Sequence, residues 1–207
     1  QKLVAKIFFA IFTILFLYFL YFGMTTSPEG LKESDSIAYH IPIARNLAMG
    51  TFLPPRLPQG LGYYPAAAET LLAIFITLGL PLNLFNVLGF LCLFYFSKKS
   101  GQAFSLSKET SLIYAGSIVT LQSVLRWPLT QTIDIWLAVF FLASLYLLKT
   151  ARNSPFYFPK LGLALGFLVG VKYSGLFYAF ALIFIFGKGV FKNIDFKKVF
   201  YFASPLL

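Results

Sequence analysis

Apolar runs broken by short polar, lysine-bearing stretches constrain this chain more than any other feature. The runs cover roughly 3–22, 66–80, 82–97, 110–125, 134–148, 161–171, 173–187 and 199–207. The first is about as long as the ~20 residues that a helix needs to cross the hydrocarbon layer. A soluble domain carries about 25% charged residues; this chain has 12%, against 58% hydrophobic and 19% aromatic. So much apolar surface cannot be hidden in one core, so lipid is the expected solvent. The expected fold is an all-α polytopic membrane protein, read as a single domain over 1–207. No small-residue cleavage site follows the first run, which reads as a signal anchor. The chain starts at Gln1 and stops inside its last apolar run, so it reads as a fragment of a longer protein.

Charge placement selects a topology. The net charge of +10 does not signal nucleic acid, because the basic residues punctuate the ends of apolar runs instead of forming a stripe with stacking aromatics. Two runs decide the path. Residues 66–80 are short and contain Glu69, which fits an interfacial or re-entrant helix. Residues 161–187 carry Lys172 near their centre, where a midplane lysine costs about 2.5–3.5 kcal/mol. A hairpin that turns at Lys172 removes that cost. With 66–80 not crossing, twelve basic residues fall on the inner side and five (Lys32, Arg45, Arg56, Arg126 and Lys172) on the outer side. If 66–80 crosses, the split becomes four against thirteen, so the positive-inside rule favours the first path. It leaves the N-terminus cytoplasmic. Five of the seven acids (Glu29, Glu33, Asp35, Glu69 and Asp134) then lie outside, with Glu109 and Asp195 inside.

The outer polar pieces are candidates for a site. Ser34 or Asp35 can cap a helix over 36–49 that ends at Gly50, with Pro42 as a kink. Asp35 and Tyr39, four apart, share a face. A carboxylate at a helix N-terminus is held ionised, as a general base requires; the bland reading is a solvated cap. His40 is the only histidine and Cys92 the only cysteine, which leaves no multi-histidine or cysteine-rich metal site. Cys92 reads as an inert buried thiol. Pro54, Pro55 and Pro58 stiffen the loop before Glu69, a carboxylate that is costly in an apolar helix unless paired. Arg126 beside Trp127 can be an interfacial anchor, and Asp134 can simply face a helix dipole. Together these groups can bind an anionic lipid head and a sugar.

Four stretches carry a family resemblance: Asp35-Ser-Ile-Ala-Tyr-His-Ile-Pro42, Tyr64-Pro-Ala-Ala-Ala-Glu69, Thr130-Gln-Thr-Ile-Asp134 and Gly162-Leu-Ala-Leu-Gly-Phe-Leu-Val-Gly-Val-Lys-Tyr173. In order and spacing they resemble bacterial family 39-like glycosyltransferases, relatives of the protein O-mannosyltransferases and of the aminoarabinose transferases. The likeness covers roughly 3–187 and corresponds to the N-terminal half of such an enzyme. It implies a GT-C transmembrane bundle whose long first outer loop carries juxtamembrane helices. It also implies hexosyl or pentosyl transfer from a polyprenyl-phosphate donor to a lipid, glycan or protein acceptor, outside a bacterial inner membrane. Asp35 would be the catalytic base, with Glu69, Asp134 and Lys172 lining the same cavity. Arg45 is the one candidate for the basic residue that such enzymes carry after the Tyr-His-x-Pro stretch. Tyr39, His40 and Arg126 complete the expected substrate-binding set. No cofactor is required by the sequence, and a divalent metal is left open. The rival readings are a lipid or sugar transporter, which would show inverted repeats with broken midplane helices, and a membrane scaffold without chemistry.

Overall fold

The computed structural model describes residues 1–26, 33–51, 65–150, 156–188 and 201. Every regular element among them is helical. They are α1 (Lys2–Thr25), a π-helical turn (Ser36–His40), α2 (Ile41–Ala48), α3 (Ala67–Thr77), α4 (Leu84–Ala103), α5 (Lys108–Val119), α6 (Gln122–Leu125), α7 (Asp134–Lys149), α8 (Tyr157–Val171) and α9 (Tyr173–Phe186). The expected segments over 27–32, 52–64, 151–155, 189–200 and 202–207, with Glu29, Lys32, Arg56 and Asp195, lie outside the described residues.

Among the described residues, α1 is the one helix long and apolar enough to cross a membrane by length and composition. At 1.5 Å per residue it runs about 36 Å. Its apolar side chains are mostly exposed, and α9 likewise presents Phe177, Phe180 and Phe184 at 72–79% exposure.

The helices turn back on one another and give the bundle two ends. Asn83, before α4, donates to the Thr26 carbonyl beyond α1 at 2.7 Å, so α1 and α4 run antiparallel. Asn86 donates to the Thr132 carbonyl at 2.7 Å, bringing the start of α7 to the same end. At the other end, Lys149 of α7 lies over the rings of Phe104 and Phe186 at 4.9 and 5.6 Å. The core between them is aromatic and aliphatic: Phe12 stacks on Phe94 at 3.7 Å, and Phe85 and Phe90 are fully buried.

Local chemistry explains the breaks. At the end of α2, Gly50 at φ 74° lets its own N–H bond the Leu47 carbonyl while the Thr51 N–H bonds that of Asn46. Gly79 repeats the arrangement at the end of α3, with bonds to Ile76 and, through Leu80, to Phe75. Both are Schellman closures, which need a left-handed residue. At only 11 residues, α3 is about 16 Å long. It contacts α2 and α8, and Phe75 meets Phe85 at the start of α4.

The expected turn at Lys172 is present. Lys172 is extended (φ −157°, ψ 149°) between α8 and α9. Gly175 makes the turn possible, because any side chain there would collide with the Leu168 carbonyl.

Candidate functional site

Pro42 shapes the segment that carries Asp35. Its missing N–H and its ring disfavour a regular α-turn before it. The chain widens instead into a π-turn, in which the Ile41 N–H reaches the Ser36 carbonyl. Such turns recur at functional sites. The expected kink is therefore a π-turn.

The expected cap is corrected: neither Ser34 nor Asp35 caps this helix. Glu33 does, accepting from the backbone N–H of Asp35 (3.1 Å) and of Ser36 (2.6 Å) and from the Ser36 hydroxyl (2.6 Å). A longer side chain two or three residues back reaches those N–H groups and leaves Asp35 free of capping. Burial pushes the Glu33 carboxyl up, but the Ser36 hydroxyl, the two backbone N–H groups and nearby His40 outweigh it and hold the group below its ordinary value. Ser36 is itself buried and accepts from the Gln131 N–H at 3.0 Å, which pins the turn to the segment before α7.

Around this turn the structure gathers most of the expected residues. The Tyr39 phenol is pushed well above its ordinary range by burial, then by the charge of Asp35 and the hydrogen bond to it, and further by Asp134 and Glu69. Asp35 is exposed beside it. His40 and Glu69, both about 98% hidden, meet at 2.6 Å between Nδ1 and Oε1. Lys172 and Asp134 pair at 3.0 Å and remain about half exposed. A cavity of about 370 Å³ is walled by Tyr39, Pro65, Glu69, Val171, Lys172 and Ser174 among others; Asp35, His40 and Asp134 stand behind its wall rather than on it, which corrects the expectation for Asp134. The cavity's size falls within the range of small-molecule sites.

Arg45 and Arg126 stand apart. Arg45 is exposed on α2 and does not line the cavity. Arg126 lies over the Trp127 ring at 4.3 Å, the geometry of an aromatic-anchored cation. Of the basic residues expected to meet a phosphate, Lys172 is the one on the cavity wall.

A buried amide layer beneath the site was not foreseen. Gln131 donates to Asn83 at 2.8 Å, and Asn86 reaches the Thr132 carbonyl and the Thr130 hydroxyl. Thr130 in turn donates to the Trp127 carbonyl at 2.8 Å. All five side chains are buried, so the network fixes the backbone that presents Asp134. The sequence signal was two asparagines three apart in an otherwise apolar run.

Among the described residues no three His, Cys, Asp or Glu side chains are grouped so as to hold a metal ion. No family model matches the chain, and neither curated proteins nor solved structures give a match.

Proposed function

We propose that the chain is part of a multi-pass membrane glycosyltransferase that moves a sugar from a polyprenyl-phosphate carrier to an acceptor hydroxyl on the non-cytoplasmic face. The supporting observation is the meeting of a carboxylate, a phenol tied to a second carboxylate, and an ammonium around one cavity at one end of the bundle. Of the described acids, only Glu109 lies at the opposite end, where Lys2, Lys6, Lys98, Lys99, Lys108, Lys149, Lys160 and Lys188 collect. That asymmetry supports a cytoplasmic lysine end and an outer cavity end. The exposed apolar faces of α1 and α9 support lipid around the bundle.

In this reading Asp35 takes the proton from the acceptor hydroxyl, whose oxygen attacks the anomeric carbon. The bond from that carbon to the carrier phosphate breaks, its electron pair leaves on the phosphate oxygen, and the configuration inverts. Lys172 has three N–H donors and gives one to Asp134. The other two are available to the departing phosphate, whose growing charge they stabilise.

The test is transfer by the full-length protein in nanodiscs with Asp35→Asn, which keeps the shape and removes the basicity. Transfer is expected to fall roughly 10²-fold or more at unchanged melting temperature. Turnover equal to wild type would remove Asp35 from the chemistry.

A further inference from the structure

Glu69 carries an oxygen that its structural role does not use. The side chain is 2% exposed, and Oε1 is held by His40. Oε2 is buried and has no hydrogen-bond partner among the described residues. A buried carboxylate oxygen left without a donor is costly, and such orphans in folded proteins are few. Here the orphan belongs to a residue on the cavity wall. Of the neighbouring groups, Tyr39 is engaged with Asp35, and Lys172 gives one of its N–H groups to Asp134.

The chemistry of a fitting ligand group follows. An oxygen of this kind accepts O–H or N–H and repels phosphate oxygens. The cavity is thus divided between a phosphate-attracting side at Lys172 and a donor-seeking side at Glu69. Aim is provided from behind. His40 is held in the π-turn with its ring 4.1 Å from that of Tyr39, and its Nδ1 holds Oε1, which restricts how the Glu69 carboxylate can turn.

We propose that Glu69 Oε2 accepts a hydrogen bond from a ring hydroxyl of the carrier-linked sugar, with His40 as its positioning residue. The cavity then selects a carrier bearing a hydroxylated monosaccharide over the bare carrier phosphate. This rests on the glycosyltransfer reading and adds to it the group that recognises the sugar.

The experiment measures binding to the nanodisc-reconstituted full-length protein of bare polyprenyl phosphate, a panel of polyprenyl-phosphate hexoses and pentoses, and monodeoxy analogues of the tightest. Wild type is expected to prefer the best sugar-bearing carrier, and one deoxy position should weaken it roughly 10- to 100-fold, the worth of a hydrogen bond to a charged group. Glu69→Gln should lose the preference, bind bare polyprenyl phosphate as before, and show no further loss with that deoxy analogue. His40→Ala should lose the preference too, and added imidazole should restore it, which a purely structural role would not do. A sugar preference unchanged in Glu69→Gln would overturn the inference and leave the transferase reading standing. So would a wild type that loses nothing with any deoxy analogue, a result that needs no variant to fold. Failure of wild type to bind any polyprenyl phosphate would sink both.

Discussion

Two ion pairs each lend one member, Glu69 and Lys172, to the wall of one cavity, and their surroundings differ sharply. His40 and Glu69 are about 2% exposed and 2.6 Å apart; Asp134 and Lys172 are 47–50% exposed and 3.0 Å apart. The buried pair joins the π-turn to α3, segments 29 residues apart, and neither partner can leave without stranding the other. The exposed pair joins the start of α7 to the α8–α9 turn and is screened by solvent, so it contributes little to the fold. A pair that contributes little is also one that a ligand can open. The two pairs therefore separate a fixed member of the cavity wall from an exchangeable one. Glu69 holds a fixed position, whereas Lys172 can exchange part of its interaction with Asp134 for an incoming anion.

Breaking the buried pair should have the largest effect on stability. Glu69→Ala leaves the His40 imidazole buried without its acceptor and should destabilise the protein by roughly 3 kcal/mol or more. Chemical denaturation in detergent measures this, and a loss below about 1 kcal/mol, the size of an exposed pair, would erase the distinction between the two. Asp134→Asn should cost less than about 1 kcal/mol in the same measurement. A larger cost there would mean that the exposed pair is structural after all.

The smallest effect belongs to Glu33. Its folded-state carboxyl titrates below the ordinary 4.5, so its contribution is present above that pH and is lost as pH falls through the lowered value. Glu33→Gln should therefore melt slightly below wild type at neutral pH, and the gap should close as pH drops below 4.5. A gap that widens in acid would contradict the capping role.

How much of this was legible beforehand follows from the range of each interaction. The turn at Lys172 was, because one lysine between apolar runs has few places to go. So were the shared face of Asp35 and Tyr39, fixed by a spacing of four, and the distortion at Pro42. The capping group was not: Glu33, Ser34 and Asp35 are consecutive and chemically able, and only backbone direction chooses among them. The His40–Glu69 contact and the Asn83–Gln131 and Asn86–Thr132 bonds span 29 to 48 residues. No local periodicity encodes such pairings; they follow from how α2, α3, α4 and α7 pack. Charge alone likewise could not rank Arg45, Arg126 and Lys172, since the sequence pattern places all three on the outer side.

The most direct test asks whether Lys172 meets the carrier phosphate. Affinity for polyprenyl phosphate, and the transfer rate, would be compared for Lys172→Arg, Lys172→Gln and Lys172→Ala in nanodiscs. The cavity geometry predicts that Arg keeps much of both, because it retains a cation able to leave Asp134, and that Gln and Ala lose both while melting within a few degrees of wild type. Wild-type affinity and rate in all three variants would contradict it, removing Lys172 from the site and the charge that the proposed transfer depends on.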